Sequence, residues 1–524
     1  MGPADVASLE ESRHSFRATL VEAGAAETIG VFTGRIGLVL SGGGALGAYE
    51  AGALLAFQDA GLPTHIIAAT SVGSVNAASF AGETGTLVGN AERLVGDWLE
   101  LTPGHLGIEW TRYGWMAAGL VATSAGLGNL AYYLLTLAGL HVQLHHPAAA
   151  WLSLALAGTS VLLFYPHLPY IWHWLGARLR RRPLEAEGRR LGLSTAANLL
   201  VGTFLVAGTE ALNLQTTFSV TLRSHPYVII ALLALLLALR LLQEWFRDRL
   251  GRLWERIIRF ALHPGLFNNF QRSRYLRGRI SSERLMRSPI RLLFTATDLG
   301  PGVVRHFSNA TGAQLAADPR CDRTFALHEV ATPADLLPAI VASSAIPITY
   351  EPMEVEGRIL ADGAVMGSQP IRPAVHLGAD VLFLVLLEPP EARRSGTASF
   401  VDVGSRALEI LMRQNLRGDL RQLTEVNLLC ERAARDIGVP PEAVVIELGD
   451  RRLRYLRPFV IRPDRPLGLS VHDFGGPATA DAILRGYRDA AAQIAAFLEY
   501  ARTARFDHAP AVLRLMPGGG AGQP

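Results

Sequence analysis

Along residues 35–62, RIGLVLSGGGALGAYEAGALLAFQDAGL, a short apolar run stops at a glycine cluster, and apolar residues then return at helical spacing until Gly61. The pattern predicts a strand, a tight loop and a helix. Residues 65–80, HIIAATSVGSVNAASF, repeat it: an apolar run ends at Ser71 and small residues carry on as a helix. The same grammar resumes after a long interruption. PIRLLFTATDL reads as a strand, TPADLLPAIVASSAIP as a helix capped by Thr332 with Pro333 at its first position, and RILADGAVMGSQPIRPAVHLGADVLFLVLLEPP as strand, loop, helix, strand. Residues Ala478 to Arg502 predict an amphipathic helix, followed by a flexible MPGGGAGQP end. Strands alternating with helices argue for an α/β fold with a mostly parallel sheet. No internal repeat stands out.

The interruption has its own pattern. Between Arg112 and Arg178 there is no Asp, Glu, Lys or Arg, and the two apolar pieces there, 113–140 and 148–176, show none of the charged outer faces of a soluble bundle. Each exceeds the roughly 20 residues that span a bilayer. Residues 191–209 and 224–239 add two weaker candidates. The loop RLRRRPLEAEGRR at 178–190 and the segment RLLQEWFRDRLGRLWERIIR after the last candidate are rich in arginine, whereas 141–147 and 210–223 hold one between them. The positive-inside rule then puts both ends of the insertion in the cytoplasm. The expected organisation is an N-terminal extension at 1–33, a first part of the α/β domain at 34–110, an α-helical membrane insertion at 111–260, a second part of that domain at 261–505 and a flexible tail at 506–524.

Charge and cysteine usage exclude several classes. The 49 basic and 46 acidic residues nearly cancel, so no global field recruits nucleic acid. Every basic residue is arginine, which removes a lysine-dependent phosphate loop. Cys321 and Cys430 stand far apart without metal-ligand spacing, so neither a disulfide framework nor a zinc site is expected. The polar, acidic N-terminus does not read as a cleaved secretion signal.

The candidate chemistry sits at strand ends. Gly42, Gly44 and Gly47 meet a dinucleotide spacing, but the second strand ends at Ser71 instead of an acidic residue. The remaining use of such a cluster is to aim bare N–H groups at an oxyanion. Ala69-Thr70-Ser71-Val72-Gly73 fits a nucleophile elbow with alanine in place of the first glycine; a plain helix N-cap is the other reading of Ser71. His65, His306, His328, His376 and His472 have no partner motif and read as surface or packing residues. Asp362 follows an apolar strand and precedes Gly363, either as a functional carboxylate or as a solvated turn residue.

Four blocks, LSGGGALGAYEAG, ATSVGSVNA, ASSAIPITYEP and LADGAVMGSQP, taken in this order, resemble the patatin-like phospholipases over residues 34–100 and 288–500. The resemblance implies a three-layer α/β sandwich, with Ser71 as nucleophile and Asp362 as its partner in a Ser-Asp dyad. The N–H groups of Gly42, Gly43, Gly44 and Ala45 would form the oxyanion hole, with Gly47, Gly73 and Gly363 supporting it, and neither metal nor cofactor is needed. An ordinary carboxylate, with a pKa near 3.9, is a weak base for this chemistry, so its surroundings should raise it. The substrate class implied is membrane phospholipids or lysophospholipids, cleaved at a bacterial inner membrane by a cytoplasmic catalytic domain. A catalytically weak lipid-binding scaffold and an acyltransferase using the same dyad are the alternatives. Three departures stand out: Leu46 where many members have arginine, Ala69 in the elbow, and the large apolar insertion.

Overall fold

A computed structural model describes residues 3–82, 89–107, 269–347, 349–367, 369–389, 400–448, 451–469, 474–504 and 511–515, with residues 119, 121, 122, 155 and 506 besides. The membrane spans expected within 111–260 lie outside the described residues, among which no helix is long and apolar enough to cross a membrane. Residues 1–106, 272–347 and 352–524 form one compact unit, which holds every site residue named above. Residues 107–271 and 348–351 form another, in which Asn269 donates to the backbone oxygen of Glu351 at 2.7 Å.

The first unit is an α/β fold around a mostly parallel sheet. Its strands are β1 (Ile36–Leu40), β2 (Ile66–Thr70), β3 (Arg291–Asp298), β4 (Val303–Ser308), β5 (Val330–Ala331), β6 (Met353–Val355), β7 (Arg358–Asp362), β8 (Val381–Val385) and, beyond two strands of a smaller sheet, β11 (Arg457–Ile461). The spatial order is β11-β8-β1-β2-β3-β4-β5, with β7 paired to β3 and β6 to β7. From β11 to β3 every pairing is parallel; β4 and β7 run antiparallel to β3.

Both faces of the sheet are covered at its centre, which is why β1, β2 and β8, buried throughout, read as apolar runs. Leu38, Leu40, Ile67 and Ala69 pack with Leu54, Phe57, Ile483 and Phe497 on one face. Their alternating neighbours Val39, Ile66 and Ala68 pack with Leu315, Phe325 and Ala374 on the other. The first face is closed by helices Ala48–Asp59 and Pro477–Thr503, which cross backbone to backbone. A Cβ on Gly52 would lie 1.9 Å from the Ile483 carbonyl oxygen, and one on Gly486 1.9 Å from that of Tyr49.

Two local expectations change, and the N-terminal extension gains a docked helix. The helix expected from Thr332 begins instead at Leu337, because Pro338 has no N–H to give to a helix already under way and sits in the first turn, where none is required. Thr332 donates its hydroxyl to the Ala310 carbonyl. Within the tail expected to be flexible, Ala511–Leu515 forms β12, parallel to β9 (Val444–Leu448), whose other edge takes β10 (Arg451–Arg454). This small sheet packs on helix Phe400–Ile437 through Val444, Ile446, Cys430 and Ala434. Within the N-terminal extension, helix Pro3–Glu22 is docked: Leu9, Phe16 and Leu20 enter the core, and the Arg13 Nε donates to Asp59 at 2.9 Å.

Candidate active site

Strand β2 hands over to helix Val72–Ala81 at Ser71, whose φ of 55° and ψ of −126° lie where a non-glycine residue is strained by roughly 1–3 kcal/mol. Such a conformation persists only if its surroundings over-determine it. Here the Ser71 N–H donates to the Ser343 hydroxyl at 2.9 Å, and Ser343 donates onward to the Thr295 carbonyl at 2.6 Å. The Ser74 hydroxyl lies 2.8 Å from that of Ser343. Gly73 permits the sharp turn, since a Cβ there would stand 2.8 Å from the backbone of Leu40. Ser71 occupies the N-cap position, yet its side chain makes no capping bond. Its hydroxyl donates to Asp362 Oδ2 at 2.6 Å.

The register of one strand explains this meeting. β2 and β7 use the same edge of β3 end to end: Thr70 pairs with Thr295, and Asp362 pairs with Ala296, the next residue along. The last residue of β7 therefore abuts the residue that follows β2. Asp362 is only 2% exposed, which sets aside the solvated turn reading. Its Oδ1 accepts from the Ala364 N–H at 2.8 Å, and its own N–H donates to the Ala345 carbonyl at 2.9 Å. Gly363 fits because a Cβ would come within 2.2 Å of the Thr295 oxygen. Burial pushes the Asp362 carboxyl up to about 6, against the Ser71 hydroxyl, the Ala364 N–H and the more distant Arg272 guanidinium, all of which favour its ionised form.

The glycine loop closes the third side. A Cβ on Gly42 would stand 3.1 Å from the Ser71 Cβ and 3.2 Å from that of Ala364, so the bare loop backbone lies directly against the serine. Gly44 has φ of 57°, and the chain then tightens into a 3-10 turn over Gly44–Gly47. Among the described residues, no acceptor takes the N–H of Gly42, Gly43, Gly44 or Ala45. Gly47 gives room to Val72, whose methyl would lie 2.6 Å from a Cβ.

The histidines stand elsewhere. His65 accepts from the Ile36 N–H, buried His306 lies against Phe325 and is held down to about 3 by desolvation, and His376 pairs with Asp322. His328 is exposed, and His472 lies outside the described residues.

Four residues that the sequence did not single out surround the site. Ser343 lies inside the ASSAIPITYEP block without a role legible from spacing. Arg272, 4% exposed, donates to the carbonyls of Val341 and Ser344 at the end of helix Leu337–Ser343, where a cation suits the helix dipole. Glu50 is fully buried on helix Ala48–Asp59, and burial pushes its carboxyl up to about 8 against the bonds it accepts from the Ser41 N–H and Asn76. An acid in the first turn of a helix that stays apolar as far as Phe57 was the one sequence signal for it. Asn76, the fourth, is as deeply buried.

A family model described as patatin-like phospholipase matches residues 38–161 and 200–375, more than half of the chain and all the residues of the glycine loop, elbow and Asp-Gly turn. No curated protein sequence matches. Among solved structures, VipD from Legionella pneumophila is similar at 13% identity and a TM-score of 0.31, covering 88% of this chain and 67% of that chain, a likeness too slight to carry a reading of function.

Proposed function

The chain belongs to the patatin-like phospholipase family, and from that premise we propose that it is a membrane-bound serine hydrolase that cleaves fatty-acyl esters of phospholipids or lysophospholipids through Ser71 and Asp362. The observation that carries this reading is the 2.6 Å bond from the Ser71 hydroxyl to a buried carboxylate.

In the mechanism, the Ser71 oxygen attacks the ester carbonyl carbon while its proton passes to Asp362. The loop N–H groups of Gly42 to Ala45 hold the oxyanion that forms. As the carbon–oxygen bond to the leaving alcohol breaks, Asp362 returns the proton to that oxygen, leaving an acyl-serine. Water attacks the acyl carbon, gives its proton to Asp362, and releases the fatty acid as Ser71 recovers the proton. The raised basicity of Asp362 supports its role, because a general base works best with a pKa near the operating pH. Attachment to the membrane is supported by the uncharged sequence between Arg112 and Arg178.

Purified protein in detergent is expected to hydrolyse short acyl esters and lysophospholipids. Ser71→Ala and Asp362→Asn should each lower kcat by about a thousandfold or more while the protein stays folded, and a fluorophosphonate should label Ser71. Full activity in folded Asp362→Asn would remove the carboxylate from the mechanism, and labelling elsewhere with activity retained would remove Ser71.

A further inference from the structure

Behind the glycine loop lies a polar network that the mechanism above does not use. Glu50 is fully buried, and its Oε1 accepts from the Ser41 N–H at 2.7 Å, nine residues back along the chain and immediately before Gly42. The carboxyl thus bridges the whole loop, from its entry at Ser41 to the helix that leaves it. Its Oε2 accepts from Asn76 Nδ2 at 2.8 Å, on the helix that Ser71 begins. Asn76 Nδ2 also donates to the Gly47 carbonyl at 2.9 Å, and Asn76 Oδ1 accepts from Trp98 Nε1 at 2.8 Å. An indole nitrogen only donates, so Trp98 fixes which way round the Asn76 amide lies. Every polar atom of that amide is therefore committed, and among the described residues Glu50 meets only neutral donors, Ser41 and Asn76: a buried acid held in this way is a cost to the fold.

We propose that Glu50 and Asn76 form a clamp that locks the oxyanion loop onto the nucleophile helix, as positioning residues for the hydrolysis proposed above, on which this inference rests. The loop donors must meet an oxygen that is bonded to the same carbon as Ser71 Oγ, so the loop and the serine must keep their spacing within about 0.5 Å. Ser41, Gly47 and the helix of Ser71 are tied by this clamp and by no other side chain bridging all three among the described residues.

The test is steady-state hydrolysis of a water-soluble short-chain ester by the full-length protein in detergent. Glu50→Gln is nearly isosteric, but its amide turns a donor towards either Ser41 or Asn76, so one link is lost whichever way it lies. It is expected to lower kcat by about 10- to 100-fold with KM unchanged. Trp98→Phe keeps the ring beside Phe474 and frees the Asn76 amide, and a smaller fall in kcat is expected, again with KM unchanged. Because the clamp acts as one unit, Glu50→Gln with Asn76→Ala should be no slower than the slower single variant. Full kcat in folded Glu50→Gln, or losses that multiply in the double variant, overturns the clamp. Should Glu50→Gln fail to fold, Trp98→Phe decides, and wild-type kcat there overturns it equally. Failure of the underlying reading looks different: the wild type would cleave no ester, or Ser71→Ala would cleave as fast as the wild type.

Discussion

Ser71 is held in a strained backbone by a neighbour whose importance no spacing rule announces. Ser343 accepts the Ser71 N–H and is itself anchored on the Thr295 carbonyl. Ser343→Ala would leave that buried N–H without a partner, at roughly 1–3 kcal/mol, and allow the elbow to relax. The expected result is a fall in kcat of about tenfold or more with a modest loss of melting temperature, read by ester hydrolysis and thermal denaturation; unchanged kcat would show that the elbow holds itself. In the proposed mechanism the pH dependence belongs to Asp362: only its ionised form would take the Ser71 proton, and burial pushes its carboxyl up to about 6. kcat/KM should therefore rise with pH through about 6 and level off above it. A midpoint near 4, where an unburied aspartate titrates, would mean that the carboxylate is solvated in the working protein. Ser71, Asp362 and the glycines were legible because turns and close approaches restrict residue type locally. Ser343, Asn76 and Arg272 were not, since serine, asparagine and arginine gain their roles here only through partners distant in sequence.

At the scale of elements, β1, β2, β3, β7 and β8 were legible as apolar runs, whereas β4, β5, β6 and β11, shorter or more polar, were not; the long C-terminal helix appears at Pro477–Thr503, within a residue of expectation. What such runs do not encode is which strand lies beside which. That β7 continues the row of β2 along β3 is a matter of register, and the parallel joining of β12 to β9 links residues far apart in the chain. The miscast start of helix Leu337–Ser343 was a local error, corrected by one proline. The crossing of helices Ala48–Asp59 and Pro477–Thr503 was invisible too, because Gly52 and Gly486 look like ordinary small residues in helical runs. Their reciprocal contact predicts that Gly52→Ala or Gly486→Ala forces the helices apart and destabilises the protein by about 3 kcal/mol or more. Chemical denaturation would measure this. A loss below about 0.5 kcal/mol, typical of a surface change, would mean that the helices part freely.

For the whole molecule, a bonded Ser71 and Asp362 require the chain on either side of the insertion to occupy one compartment. An insertion that crosses a bilayer must then cross it an even number of times, in agreement with the arginine distribution. Accessibility tags at exposed Val21, within 178–190 and after residue 524 should all report the cytoplasm, and a tag within 141–147 the far side. Tags at 21 and after 524 on opposite sides would be incompatible with the proposed dyad.

The shared edge of β3 also dictates an order of events during synthesis. Ser71 and Asp362 are 291 residues apart, and at ~5–20 residues per second the carboxylate leaves the ribosome roughly 15 to 60 s after the serine. On the membrane-bound reading proposed above, the whole apolar segment would be made and delivered to lipid in that interval, while Ser71 has neither Asp362 nor Ser343 beside it. The nascent chain would then meet the membrane as an incomplete catalyst, and the activity proposed for it would begin only when β7 docks against β3 beyond the end of β2.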